Sequence, residues 1–380
     1  MDIKAKKILI LYATAGIGHK KAAMAIKEAF DGLKLPAVDV TLADALDHSP
    51  AFFKKTYPQA YLLMVNKLSP LWALSYYFTD NRFVNIVISK IRHLNNWLNS
   101  RKLREYLRST QPDVIVSTHF FASEVISSLK GKGLLRSKLV TVVTDYRLHS
   151  WWVNRNTDLY TVGSTDARDD LVKWGVPTER VRVLGIPAQP VFSGTVDKEK
   201  VVQGLGFEKG VFTILSMGGG FGVGPIEELI RAADRVRAKV QMIVVCGHNE
   251  KLIERVKALK SQLKIRIFTL GFIHNVYDYM AVSDIVISKS GGITTSESLV
   301  KELPMIIIAP IPGQETRNSD FLIRHGAALK MDNAAELKGI VEDLIGHPEK
   351  IKAMKDGIAD IRRPDAPFDI AKAAVDLAHS

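Results

Sequence analysis

The stretch "KKILILYATAGIGHKKAAMAIKEAF" (6–30) passes from an unbroken apolar run, through a turn of small residues, into an alanine-rich helical pattern. A run without polar alternation is what a strand buried on both faces requires, and a helix following it directly opens a parallel α/β unit. The spacing predicts a strand near 7–13 and a helix near 19–31. Gly16 and Gly18 make the turn, and His19 stands at the helix start. Unpaired backbone N–H groups and the helix dipole at such a start suit an anion or a developing negative charge. Two nucleotide fingerprints fail here. No G-x-x-x-x-G-K-[ST] is present, and the third glycine of a dinucleotide-binding turn falls on Lys21. His19 can accept a proton near neutral pH; a capping or surface histidine is the competing reading.

Outward from this stretch the rhythm of apolar run, turn and amphipathic helix occurs in two halves. In the first, strands are expected near 7–13, 37–42, 113–117, 138–143 and 158–162, with helices near 19–31, 120–129 and 165–174. An aromatic helical insertion, roughly 50–109, separates the second and third strands. In the second, strands near 211–217, 240–246, 265–269, 284–288, 305–309 and 327–330 alternate with helices near 225–237, 249–260, 275–282, 293–302 and 317–325. The fold class predicted is α/β with two Rossmann-like domains. "GIPAQPVFSG" (185–194), with its prolines and glycines, reads as the linker, which gives domains 1–190 and 191–365. A last helix, 366–380, follows a proline-containing break and is expected to pack back on the N-terminal domain.

Composition narrows the function classes. The chain has 380 residues, 47% of them apolar, which is enough for two cores and argues against disorder. A net charge of +12 draws polyanions: nucleic acid, anionic lipid or phosphorylated substrates. No nucleic-acid motif accompanies the charge, and the basic residues are spread through helices, so nucleic acid is not expected as a partner. The single cysteine, Cys246, excludes a disulfide framework and a cysteine metal site, and fits a reducing cytoplasm. No signal-peptide core and no apolar window long enough to span a bilayer is expected.

Three later segments carry candidate chemistry. In "MGGGFGVG" (217–224), five of seven residues from Gly218 are glycine, more than a tight connection needs. Gly218, Gly219 and Gly220 permit close backbone approach, and Pro225 suits the first turn of a helix. In "KSGGITTSESL" (289–299), the turn Ser290, Gly291, Gly292 enters a helix through Thr294, a good pyrophosphate cradle. Glu297 lies about one turn inside, where its carboxylate can accept from a vicinal diol such as a ribose; a solvent-facing glutamate is the plain alternative. "PIPGQETRN" (310–318) then places Gln314, Glu315 and Asn318 at a strand's C-terminal edge, which suits sugar hydroxyls or an ordinary polar loop.

These segments, with "TAGIGHKKAAMAI" and "VVTDYRLHSWWV" (142–153), resemble over nearly the whole chain the lipid glycosyltransferases of the monogalactosyldiacylglycerol synthase and processive diacylglycerol glucosyltransferase family, relatives of the transferase that makes lipid II. The resemblance implies two facing Rossmann-like domains of GT-B type. It implies inversion at the anomeric carbon, no tightly bound cofactor and no metal. The donor would be UDP-glucose or UDP-galactose and the acceptor diacylglycerol. Glu297 would hold the ribose. Ser290–Gly292 and Gly218–Gly220 would face the diphosphate, the backbone at Phe272 and Ile273 the uracil, and Gln314 and Glu315 the sugar, while Gly16 and Gly18 would let the sugar diphosphate and the acceptor hydroxyl come close. His19 would be the base, with Asp145 a second candidate or its partner. The early turn is less glycine-rich than in many relatives, and "KSGGITTSE" lacks the proline of plant-type turns.

The insertion "SPAFFKKTYPQAYLLMVNKLSPLWALSYYF" (49–78) mixes aromatics and lysines in a way that suits an anionic bilayer interface. Phe52, Phe53, Trp72 and Tyr76 are its expected membrane or acceptor contacts, at the cytoplasmic face. An N-acetylglucosaminyltransferase of the lipid II type, or a UDP-sugar epimerase of the same architecture, is the alternative.

Overall fold

A computed structural model describes residues 5–14, 16–220 and 222–380; Ala15 of the first glycine turn and Phe221 of the second lie outside it. The chain divides into two units. Unit 1 comprises Met1–Pro190, Ile311–Arg317 and Arg363–Ser380; unit 2 comprises Val191–Pro310 and Asn318–Arg362.

Unit 1 runs β1 (Lys6–Tyr12), α1 (Ile17–Leu33), β2 (Val38–Asp44), α2 (Ala51–Lys67), α3 (Ser69–Thr79), α4 (Arg82–Asn99), α5 (Arg101–Thr110) and β3 (Val114–Ser117). It continues through α6 (Phe120–Gly131), β4 (Lys138–Val142), β5 (Leu159–Val162), α7 (Thr165–Lys173) and β6 (Val181–Val183). All pairings in its sheet are parallel, in the order β2-β1-β3-β4-β5-β6. Ile8 to Leu11 are buried on both sides of β1, because helices cover each face. One cover includes the C-terminal helix: Ile370, Ala371, Ala373 and Ala374 share a core with Ile8, Ile10, Ala23 and Ile26. The expected strands are present, and β6 is a sixth that the sequence did not announce.

Unit 2 carries α8 (Lys198–Gly204), β7 (Phe212–Met217), α9 (Ile226–Ala233), β8 (Val240–Val245), α10 (Glu250–Leu259), β9 (Arg266–Leu270), α11 (Val276–Ala281) and β10 (Ile285–Ser288). There follow α12 (Gly292–Val300), β11 (Met305–Ile308), α13 (Gln314–Arg324), β12 (Ala328–Met331), α14 (Leu337–Gly346) and α15 (Pro348–Ile361), the first turn of α13 grouping with unit 1; α16 (Ala366–His379) returns to unit 1. The second sheet is also parallel, in the order β12-β11-β10-β7-β8-β9. Helix α13 begins three residues earlier than expected, so Gln314 and Glu315 stand in its first turn.

Strand order locates the ligand positions. In an open parallel sheet, ligands bind beyond the carboxyl ends of the strands where the order reverses. In unit 1 the chain leaves β1 to one side for β2 and to the other for β3; in unit 2 it leaves β7 for β8 and later returns to lay β10 on its other side. The loops after β1 and β3, and those after β7 and β10, therefore flank the two switch points.

The insertion corrects one expectation. Phe53, Trp72 and Tyr76 are 8%, 7% and 3% exposed, so they are interior packing and not membrane contacts; Phe52 alone of the four is open. Trp72 and Tyr76 lie four apart, on one face of α3, and Trp72 Nε1–H donates to the Pro312 carbonyl at 3.1 Å. A continuous exposed apolar face runs along α4, where Phe83, Ile86, Val87, Ile91, Leu94 and Leu98 are 57–82% exposed, and α3 also leaves Leu71, Leu74 and Phe78 open. That helix turns its polar side inward. Arg92 Nε and His93 Nδ1 each lie 2.7 Å, and Asn96 Nδ2 3.0 Å, from the buried Glu124 carboxylate of α6. Burial pushes the Glu124 carboxyl up, but His93, Arg92 and Asn96 outweigh it and hold it below the ordinary carboxylate value.

Candidate active site

At the switch point of unit 1, α1 starts at Gly16 in extended backbone with no side-chain cap on its N–H groups, and a Cβ on Gly16 would meet nothing within 4 Å. Gly18 and His19 lie in the helix's first turn. His19 Nδ1 is 2.7 Å from the Thr118 carbonyl, just past the end of β3. A carbonyl only accepts, so Nδ1 carries the proton and the basic lone pair is on Nε2. Thr118 Oγ1 donates to the His19 carbonyl at 2.9 Å, and Thr144 Oγ1, beyond β4, lies 3.3 Å from Nδ1. The His119 ring stands edge-on to His19, 4.4 Å between centroids.

Burial pushes the His19 pKa down to about 4, against the Thr118 carbonyl, which favours the charged form. His19 is therefore neutral at physiological pH, with its accepting nitrogen in base form. Asp145 follows Thr144 in the same loop and is part-buried; its charge is felt at the Tyr76 phenol, whose ionisation burial above all pushes well above its ordinary range. Thr118, His119 and Thr144 were not singled out from the sequence. Their signal was positional only: they are the residues that follow β3 and β4.

In unit 2 the glycine turn after β7 is folded back on the loop after β8. Gly222 has φ +60°, and a Cβ there would sit 2.1 Å from the Cys246 carbonyl oxygen; Gly247, at φ +58°, would meet the Gly220 carbonyl at 2.5 Å. Gly218 and Gly219 complete this turn, closed by Val223 N–H donating to Gly218 O and by His248 N–H to Gly220 O. Only glycine fits those approaches. After β10, the turn Ser290–Gly291 enters α12 at Gly292, again with no side-chain cap, and Ser288 Oγ donates to Met217 O, pinning the two strand ends together. Thr294 is part-buried in that first turn.

Glu297 is 2% exposed, which rules out the solvent-facing reading of the sequence. Asn318 is fully buried, and its Nδ2 donates to Ser290 O at 3.0 Å, bracing the turn from α13. Phe272 and Ile273 follow β9, and the Phe272 ring stacks on His248 at 4.2 Å. Gln314 and Glu315 group with unit 1, not with the glycine turns; Glu315 Oε2 accepts from Ile311 N–H at 2.6 Å. That segment is held further by Arg317, which pairs with Asp80 at 2.6 Å and donates to Leu148 O at 2.7 Å.

Two parallel sheets, each with a ligand position at its switch point, make this a glycosyltransferase fold of GT-B type. It is similar to the Anabaena Alr3699/HepE structure in complex with UDP-glucose (TM-score 0.56, 17% identity, 98% of each chain). Residues 19–188 match the family model "Monogalactosyldiacylglycerol (MGDG) synthase" and residues 213–366 the "Glycosyltransferase family 28 C-terminal domain". The chain is 31% identical to monogalactosyldiacylglycerol synthase 1, chloroplastic, of Arabidopsis thaliana, over 96% of its own length and 70% of that protein's. It is 27% identical to the processive diacylglycerol beta-glucosyltransferase of Bacillus cytotoxicus, over 100% of its own length and 95% of that protein's. The chain belongs to the monogalactosyldiacylglycerol synthase family.

Proposed function

We propose that this protein transfers glucose or galactose from a UDP-sugar to diacylglycerol, with inversion, at the cytoplasmic membrane face. The observation that carries the donor half is the switch point of unit 2: interlocked glycine turns and an uncapped α12, with Glu297 buried about one turn inside. Backbone N–H groups there suit a diphosphate, and a buried carboxylate suits a ribose diol. The names of the relatives supply the acceptor class, and the UDP-glucose complex of the Anabaena protein supports the nucleotide. In the reaction the diacylglycerol hydroxyl oxygen bonds to the anomeric carbon as the bond from that carbon to the diphosphate breaks. UDP leaves with the electron pair, and the hydroxyl proton passes to His19 Nε2. A panel of UDP-sugars with diacylglycerol in mixed micelles, the products read by mass, tests the assignment; absence of glycosyl-diacylglycerol with every donor rejects it.

Glu297→Ala is expected to weaken UDP binding by about 1–3 kcal/mol, the range for stripping a partner from a buried polar group. Unchanged affinity by calorimetry removes Glu297 from the ribose.

The α4 face favours a lipid acceptor over epimerase chemistry, since an epimerase has no use for it. Six large apolar side chains form one exposed stripe, no acidic residue occurs between Arg82 and Asn99, and Arg101 and Lys102 follow directly. Such a helix suits an anionic bilayer interface, lying in its plane; no helix among the described residues is long and apolar enough to cross a membrane. Changing Phe83, Ile91 and Leu98 together to serine is expected to weaken flotation with phosphatidylglycerol vesicles by at least about tenfold. UDP affinity and thermal midpoint should hold. Wild-type flotation in that variant takes α4 out of the membrane reading.

A further inference from the structure

We propose that His119 is a positioning residue for His19, its ring acting as a fixed wall that sets the plane of the imidazole; the proposal rests on the reading of His19 as the base. The Thr118 carbonyl at 2.7 Å and Thr144 Oγ1 at 3.3 Å both meet Nδ1, which fixes that end of the ring but leaves the ring able to turn about it. A second constraint is needed to aim Nε2. The edge-on His119 ring at 4.4 Å, with an interplanar angle of 65°, supplies it as the nearer of two rings, the Trp152 ring standing 6.2 Å away.

The wall is itself held. His119 is 1% exposed, and its Nδ1 accepts from Phe121 N–H at 3.1 Å, capping α6. Phe120 packs on it at 4.3 Å and Tyr57 of α2 at 6.2 Å. The next carboxylate on α6, Glu124, is turned to α4. Capping alone does not explain an imidazole here. Asparagine or serine caps as well or better, without burying a polar ring. Consecutive residues thus grip His19 in two ways: Thr118 through its carbonyl and hydroxyl, His119 through its ring.

Two substitutions pull the cap and the wall apart. His119→Asn keeps an acceptor for Phe121 N–H and removes the ring; His119→Phe keeps a ring and removes the acceptor. Positioning predicts that His119→Asn loses about tenfold in kcat with donor KM nearly unchanged, since misaimed groups slow the chemical step. In a crystal structure of His119→Asn the His19 ring should then occupy more than one orientation, while the Thr118 carbonyl still holds the proton on Nδ1. His119→Phe should recover turnover to within about threefold of wild type, while melting lower for want of the cap. Wild-type kcat with a single, unmoved His19 ring in His119→Asn overturns the proposal and leaves His119 a cap. Folded His119→Phe as slow as His119→Asn also overturns it, because a wall of the same shape should work. The base reading fails separately, through near-normal turnover of His19→Ala, whereas the His19 ring orientation in His119→Asn judges the wall without reference to activity.

Discussion

His19→Ala is expected to lower turnover by about 10²–10⁴-fold, the usual contribution of a positioned general base. UDP affinity should stay within about twofold, because the residues assigned to the nucleotide belong to the other unit and a base acts on the chemical step alone. A histidine whose pKa burial has pushed down to about 4 is a weak base, yet it suits this step. As the hydroxyl oxygen bonds to the anomeric carbon it takes on positive charge, and its proton becomes strongly acidic. The ring needs only an open lone pair aimed at that proton. The Thr118 carbonyl ensures that the lone pair is on Nε2. The acid limb of kcat should accordingly lie well below the ordinary histidine value. Near-wild-type turnover in folded His19→Ala rejects the assignment. Asp145→Asn serves beside it: if Asp145 acts only through His19, the double variant is hardly slower than His19→Ala, since groups acting as a unit are not additive.

What the sequence made legible follows from how each feature is encoded. Strands buried on both faces are spelled as continuous apolar runs, and Ile8–Leu11 and Met305–Ile308 could be read directly. Strand β6 is "VRV", three residues with Arg182 exposed, too short to form a run. The start of α13 was hidden behind Pro312 and Gly313. Gly313, at φ +93°, fits against the Tyr76 ring, where a Cβ would come within 2.7 Å. Composition announced an aromatic insertion without saying which way its side chains point. Trp72 and Tyr76 face inward because the 311–317 segment, more than two hundred residues away in sequence, lies against them. The same limit applies to the site. Glycine turns and Glu297 lie within local patterns, but Thr118, His119 and Thr144 reach His19 across about a hundred residues, through the alignment of strand ends in the sheet.

Unit 1 is expected to lose stability steeply as pH falls from 6.5 to 5, before carboxylates are protonated. Three of its histidines are kept neutral by burial: His19 and His149 have pKa values pushed down to about 4, and that of His119 is well below its ordinary value. At His149 the Asp80 charge and the Tyr76 carbonyl oppose burial without overcoming it. The sign follows from proton counts. Unfolded histidines take up protons near pH 6.5, the native rings do not, and the unfolded state is favoured as pH drops between the two values. Stability is therefore full above 6.5 and declines below it. For His19 and His149 a shift from 6.5 to about 4 corresponds to about 3 kcal/mol each, and with His119 also neutral three protons give a slope of up to about 4 kcal/mol per pH unit. Glu124, with its carboxyl held below the ordinary value, loses its contribution only at lower pH. All five tryptophans, Trp72, Trp97, Trp151, Trp152 and Trp174, lie in unit 1, so their fluorescence in urea follows this unit alone. His149→Asn keeps an acceptor for Trp151 N–H, which His149 Nδ1 now receives at 3.2 Å, and removes one buried ring. Its urea midpoint should fall less with pH, by about a third of the slope. A wild-type midpoint that stays level from pH 7 to 5 means that these histidines take up protons as readily in the folded protein as in the unfolded chain, and the acid limb of kcat then moves up to the ordinary histidine range.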